Sequence, residues 1–204
     1  MPKKVRIAII GAGAVSDYHH VPGIRIDSRC ELVAVCDPNE QLLNQRQKDW
    51  GPTKKTTQYE EIANDPDIDA VIIGTPDHWH ALPMIEAVKA GADIYVQKPI
   101  GVDVVECQAM VAAARKHKRV VQVGTQRRST PHLIEARDRF IREGKLGRIA
   151  HVEICCYYHM RASGHPADVP PPDYLDWEMW VGPAPKRPYN PTAHPRGWRA
   201  FMEY

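Results

Sequence analysis

No run in this sequence is apolar for long enough to cross a bilayer, and no charge of one sign accumulates in it. Twenty-seven lysines and arginines stand against 25 aspartates and glutamates, a net charge of +2. That balance points to neither a nucleic acid nor a membrane as partner. The five cysteines (Cys30, Cys36, Cys107, Cys155 and Cys156) are odd in number, scattered, and without C-x-x-C spacing. They argue against a disulfide framework and against a zinc site. Internal repeats are also missing. The opening M-P-K-K-V-R-I-A-I-I-G has an apolar run too short for a signal-peptide core, with no small-residue cleavage site behind it. It is expected to be the first strand of a cytoplasmic protein. With 43% hydrophobic and 25% charged residues among 204, the chain has the make-up of a soluble globular protein of one domain, or one and a half.

Through residue 123 the pattern alternates. Short β-branched runs at 5–10, 31–36, 70–73, 93–97 and 119–123 are separated by helical stretches such as 38–49, 79–90 and 103–117. A further short strand near 54–57 brings the expected number to about six. Gly91 suits the end of a helix just before the strand at Asp93. Such alternation predicts βαβ units, hence an α/β fold with a doubly wound parallel sheet and helices on both faces. Near-continuous apolar strands such as Ala70–Ile73 suit burial on both sides.

After Val123 the character changes. A helix is expected over 130–143 and a longer strand over 148–158. Nine of the eighteen prolines then fall between Pro166 and Pro195, with Trp177, Trp180 and Trp198 in or just after that stretch. Proline-rich sequence is often disordered. The tryptophans favour a long ordered segment that packs through its indoles.

The chemistry starts at V-R-I-A-I-I-G-A-G-A-V-S. An apolar strand enters a glycine turn, and a helix is expected to open behind it. Gly11 permits the tight turn, and Gly13 lets the backbone approach a pyrophosphate closely. The free N–H groups and positive end of the helix then face the anion. Ser16 stands at the third position of the fingerprint, where Gly or Ala is usual, and an ordinary strand-to-helix turn would look similar. Asp37 follows the second strand. A carboxylate there accepts from ribose hydroxyls and repels a 2′-phosphate, which favours NAD over NADP; a plain turn acid before Pro38 is the other reading.

Thr75-Pro76-Asp77-His78-Trp79-His80 ends the fourth strand, on the side of the sheet where ligands bind. Asp77 also suits a helix N-cap. His78 and His80 have no third metal ligand near them in sequence. Gln97-Lys98-Pro99 ends the fifth strand. Partial burial there would suit Lys98 to proton transfer or to holding a substrate hydroxyl, although a solvated loop lysine fits the same sequence. His151, Cys155 and His159 would share one strand face, but the histidines would lie about 26 Å apart, too far for one ion. Cys156 would point the other way. No metal site is expected.

Taken together, G-A-G-A-V-S…H-H, V-A-V-C-D, T-P-D-H-W-H-A, Y-V-Q-K-P-I and V-G-T-Q-R-R resemble the Gfo/Idh/MocA oxidoreductases, in their order and spacing. The later D-W-E-M-W-V-G-P-A-P-K-R-P-Y-N-P and G-W-R-A-F-M-E-Y resemble one bacterial subgroup. The resemblance implies a Rossmann domain over 1–124 and, over 125–204, the start of an α+β substrate domain whose open sheet carries a homo-oligomer contact. It implies NAD as cofactor and a sugar, cyclitol or related polyol as substrate. Gly11, Ala12, Gly13, Ala14 and Val15 would hold the pyrophosphate and Asp37 the ribose. Thr75, Pro76, Asp77 and His80 would line the cleft. Gln97, Lys98, Pro99 and Gln126 would adjoin the nicotinamide, with Lys98 catalytic. Arg128 and Arg199 would face substrate. Gln97 departs from the family's E-K-P pattern, in which a glutamate precedes the lysine. Family members also run on into a D-x-x-x-H segment bearing the usual catalytic base, so this chain is expected to be an inactive fragment. Some relatives are NAD-dependent glycosidases, which remain an alternative, as does a non-catalytic NAD-binding protein.

Overall fold

The computed structural model describes residues 3–155, 166–194, 197–201 and 204. Six parallel strands form one sheet in the order β3-β2-β1-β4-β5-β6. They are β1 (Val5–Ile10), β2 (Cys30–Cys36), β3 (Lys54–Thr56), β4 (Ala70–Ile73), β5 (Asp93–Gln97) and β6 (Val121–Gly124). Helices α1 (Val21–Ile26), α2 (Glu40–Trp50), α3 (Tyr59–Ala63), α4 (Ala81–Ala90) and α5 (Val104–His117) connect them. A π turn, Ser16–His20, leads directly into α1. The strand order reverses between β1 and β4, and a doubly wound sheet opens its ligand crevice at such a switch point.

The apolar strands are buried on both faces, as their composition predicts. Along β1, Ala8 and Ile10 join the layer that also holds Ile62, Met84, Val88 and Met110. Ile7 and Ile9 face the opposite way, toward Val21, Ile24, Leu43 and Trp50. Ile9, Val35, Val71 and Val96 are fully buried, and each such side chain contributes about 1.5–3 kcal/mol. Helix ends follow local chemistry. The Asn39 side chain accepts from Leu42 N–H at 2.9 Å to start α2, and Asp103 accepts from Glu106 N–H at 2.8 Å to start α5. Gly91 closes α4 in the left-handed region. Helix α3, five residues long, is too short for its periodicity to show in the sequence.

Beyond Gly124 the fold departs from expectation in one place. Helix α6 (Pro131–Ala136) forms and runs on as a π turn, Arg137–Arg142. The strand expected over 148–158 is not formed over 148–155, where every residue is exposed and no strand pairing occurs among the described residues. A strand persists through its ladder, and an unpaired extended segment leaves its backbone groups to water. The rest of that expected strand, with Cys156, and His159 beyond it, lies outside the described residues. His151 and Cys155 are exposed.

The proline-rich segment is ordered through its aromatic residues. Trp180, Val181, Ala184, Ala193, Trp198 and Tyr204 form a third buried cluster, with Leu175, Trp177 and Phe201 against it. Asp176 caps the short helix α7 (Trp177–Val181), and Trp177 stacks on Trp180 with ring centres 5.0 Å apart. No helix of the described residues is long and apolar enough to cross a membrane.

Candidate cofactor and substrate site

The carboxyl ends of five strands bring the expected residues to one edge of the sheet. Gly11 follows β1, Asp37 follows β2, Thr75 and Pro76 follow β4, Lys98 and Pro99 follow β5, and Gln126 follows β6. At the switch point the two central turns touch. Gly11 has φ +96°, and a Cβ on it would lie 2.7 Å from the backbone of Gly74 and Thr75. Gly74 N–H donates to Ile10 O, and Gly11 N–H donates to Cys36 O, both at 2.8 Å. Only glycine combines that backbone conformation with that contact.

Asp37 is tied to the glycine turn itself. Its Oδ2 accepts from Ala12 N–H at 2.9 Å and its Oδ1 from Asn39 N–H at 3.0 Å. Each carboxylate oxygen keeps a further acceptor site, as ribose hydroxyls require. Burial pushes the Asp37 carboxyl up, while the two backbone N–H groups and the Arg46 charge pull it back. Space stands open at Gly13, where a Cβ would meet nothing within 4 Å. Helical backbone runs over 14–26, and the first turn of a helix leaves N–H groups without intrahelical acceptors. Ala14 is exposed there, and Gly13 and Val15 are half-buried. An open glycine turn, free helix donors and a carboxylate on the next strand together fit a dinucleotide.

Ser16, at the third fingerprint position, is fully buried, and its hydroxyl donates to Gly11 O at 2.6 Å. Arg46, on α2, was not singled out by any sequence pattern. Its Nε donates to Ala12 O at 3.2 Å and its guanidinium pairs with Asp17 at 2.8 Å. It also lies 5.2 Å from the centre of the Trp50 ring, and Trp50 Nε1 donates to Asp17 at 2.9 Å. A cation thus braces the glycine turn from behind. The signal for it is tertiary, because its partners come from the glycine turn after β1, the π turn and its own helix.

The Thr75–His80 segment has two roles in the structure. Thr75 and Pro76 are half-buried at the cleft edge, and Thr75 Oγ1 donates to Trp79 O at 3.1 Å. His80 is fully buried between the turns after β4 and β5. Its Nδ1 lies 2.7 Å from Pro99 O and its Nε2 lies 3.1 Å from Thr75 O. A neutral imidazole has one N–H, which belongs on the shorter contact. His80 therefore ties together the two turns that flank the cleft. Burial pushes its imidazole pKa down, and the carbonyls pull it back.

The same segment receives the aromatic tail. The His78 ring, fully buried, sets its Nε2 2.7 Å from Trp180 O, and its Nδ1 has no hydrogen-bond partner among the described residues. Trp79 Nε1 donates to Met179 O and Trp180 O at 3.0 and 3.2 Å. Asp77 does not cap a helix through its side chain; its carboxylate pairs with Arg199 at 2.9 Å. The ion pair takes the place of capping: α4 starts four residues later, with His80 at its N-cap. Arg199 also stacks on Trp198 at 4.2 Å. The tail thereby carries Arg199 to the strand-β4 edge of the cleft.

Lys98 is exposed, so the partial burial expected of it is not found. Gln97 is half-buried, and its Oε1 accepts from Lys98 N–H at 2.9 Å. Gln126 and Arg128 lie on the exposed turn Gln126–Ser129 after β6. Among the described residues, no group of three or more His, Cys, Asp or Glu is placed to hold a metal ion.

Residues 5–125 match the GFO_IDH_MocA model, an oxidoreductase family with an NAD-binding Rossmann fold. The scyllo-inositol 2-dehydrogenase (NAD(+)) of Bacillus subtilis (strain 168) is 32% identical over 148 residues, covering 72% of this chain and 43% of that protein. A glycosyl hydrolase family 109 protein of Shewanella sp. (strain MR-4) is 30% identical over 172 residues, covering 77% of this chain and 36% of that protein. Among solved structures, the scyllo-inositol dehydrogenase of Lactobacillus casei, with bound cofactor NAD(H) and scyllo-inositol, superposes with a TM-score of 0.66. It is 25% identical, and the match covers 71% of this chain and 43% of that one. The chain therefore spans less than half the length of these relatives.

Proposed function

This chain belongs to the Gfo/Idh/MocA family of oxidoreductases with an NAD-binding Rossmann fold, and we propose that it is the cofactor-binding half of an NAD-dependent dehydrogenase acting on a hydroxyl of a sugar, cyclitol or related polyol. The observation that carries this reading is the hydrogen bond from Ala12 N–H to Asp37 Oδ2. It joins the phosphate-facing turn to the ribose-facing carboxylate at the switch point of the sheet.

NAD, when bound, supplies the hydride acceptor at nicotinamide C4. The chain's own residues bind and orient. Gly11 to Val15 and the helix behind them take the pyrophosphate, and Asp37 takes the adenosine ribose. Thr75 and Pro76 form the wall beside them, with Asp77 and His80 holding that wall. Lys98 orients the substrate hydroxyl and shares its proton, beside Gln97, Pro99 and Gln126. Arg128 and Arg199 present charge to substrate oxygens. Positioning of this kind is what the protein contributes to hydride transfer. In the same reading the intact protein is a cytoplasmic homo-oligomer. The free thiols of Cys30, Cys36 and Cys107 suit a reducing compartment.

Titrating the chain with NADH and NADPH tests the reading by nucleotide fluorescence. NADH is expected to bind at least tenfold more tightly, because Asp37 repels a 2′-phosphate. Tighter NADPH binding would overturn it. A second reading is favoured by the longer alignment with glycosyl hydrolase family 109 proteins: transient oxidation of a sugar followed by elimination, with hydride returned. Steady NADH formation by the intact protein supports the dehydrogenase. Glycoside cleavage without NADH accumulation supports the second reading.

A further inference from the structure

His20, Gln97 and Lys98 form a continuous line across two elements. His20 ends the five-residue π turn that precedes α1. That turn places His20 on the inner face, buried, while His19 is exposed. The His20 ring meets Tyr95 of β5 edge-on, with centres 5.4 Å apart and planes at 70°. Its Nε2 lies 3.1 Å from Gln97 Nε2.

The chemistry of that contact has one solution. The Gln97 amide is fixed from its other end, where Oε1 accepts from Lys98 N–H. Turning it over would set two N–H groups against each other. Its Nε2 is therefore the donor toward His20, and His20 Nε2 is the acceptor. The imidazole must be neutral with its proton on Nδ1.

We propose that His20 is a positioning residue for Lys98, acting through the Gln97 amide. The proposal deepens the functional reading above and rests on it, since Lys98 matters to turnover only if it adjoins nicotinamide and substrate. Protonating His20 removes the acceptor. The amide then has to rotate, and Lys98 N–H loses the oxygen that holds it. The groups facing His20 are Tyr95 and Gln97 from β5 and His19 on its own turn. Burial, with repulsion from His19, holds the His20 imidazole down to about 4, so the line stays intact at neutral pH. The neutral Gln97 belongs to the same arrangement: a glutamate there would attract a proton onto His20.

Nuclear magnetic resonance of the chain tests this without cofactor, by following the His20 ring and the Lys98 amide between pH 4 and 8. In the wild type, the Lys98 amide is expected to hold still down to about pH 5 and then to move together with His20. Gln97→Glu is expected to raise the His20 midpoint by about 1–3 units, and the Lys98 amide should follow it. His20→Asn, which offers an amide oxygen as acceptor, should keep the Lys98 amide near its wild-type position at every pH, whereas His20→Ala should displace it. A Lys98 amide that ignores the His20 titration overturns the proposal, as does an unmoved midpoint in Gln97→Glu. On the same samples, His20→Ala is expected to weaken NADH binding about two- to tenfold, with recovery in His20→Asn. Coupling between His20 and Lys98 without any NADH binding would instead overturn the functional reading.

Discussion

The Ser16 hydroxyl occupies the space that a side chain on Gly74 would need. Its Oγ lies 2.6 Å from the Cβ position of Gly74, and it donates to Gly11 O at the same distance. In a dinucleotide fingerprint the third position is kept small so that the helix can close on the sheet. Here the missing bulk is on β4's side of the contact, and the serine hydroxyl bonds the glycine turn. The departure at Ser16 is compensated across the switch point.

Gly74→Ala is therefore expected to destabilise the chain by about 1–3 kcal/mol, since the serine hydroxyl is fixed by its bond and cannot withdraw. Removing that hydroxyl in Ser16→Ala/Gly74→Ala should recover part of the loss. Urea unfolding of the four proteins in this cycle measures the coupling; strict additivity would show that the two residues do not share this space.

Gly182 tests the docking of the aromatic tail. Its φ is +51°, and a Cβ there would fall 2.2 Å from Trp79 Cζ2. Gly182→Ala is expected to displace Trp79 from Met179 O and Trp180 O and to loosen the cluster around Trp180. The expected readout is a changed tryptophan emission and near-ultraviolet dichroism, with far-ultraviolet dichroism of the sheet and its helices preserved. An unchanged near-ultraviolet spectrum would count against this packing.

Arg46 joins the glycine turn to α2 through Ala12 O and Asp17. It is mostly buried, so truncation leaves Asp17 without its cation. Arg46→Ala should lower stability by about 1–3 kcal/mol and weaken NADH binding roughly tenfold. Arg46→Lys keeps a charge near Asp17 but lacks the fork that also reaches Ala12 O, so intermediate values are expected. Calorimetry and NADH titration of both variants check this.

His20 also makes stability depend on pH. Its ordinary value of 6.5 is lowered to about 4 in the folded chain, so folding favours the neutral ring. The contribution is complete above pH 6.5 and is lost as pH falls from there toward 4. It amounts to about 3 kcal/mol at most. His78 and His80 are pushed down by burial as well and act in the same direction. The decisive measurement is therefore a difference: between pH 7 and 4.5 the urea midpoint of His20→Asn should fall less than that of the wild type.

The parallel sheet was legible because its evidence is local. Runs such as Ile7–Ile10 and Ala70–Ile73 are apolar without interruption, and each is bounded by turn residues. The same holds for Gly11, Asp37 and Lys98, whose places at strand ends follow from the strands themselves. Residues 148–155 show the limit of local evidence. Their β-branched alternation is a strand pattern, but pairing needs a neighbour, and the described residues provide none. Asp77 shows another limit, since its choice of Arg199 over a helix end depends on a residue 122 positions away.

The sequence by itself determined the succession of parallel strands through residue 124, the glycine turn and the carboxylate after β2, because short-range sterics and apolar periodicity act within a few residues. Tertiary structure alone decided how those parts work together. It set Ser16 against Gly74, Arg46 behind the glycine turn, the aromatic tail on His78 and Trp79, and His20 against Gln97. Each of these is a contact between distant segments, where close packing and the cost of an unpaired buried polar group choose partners that no local pattern names.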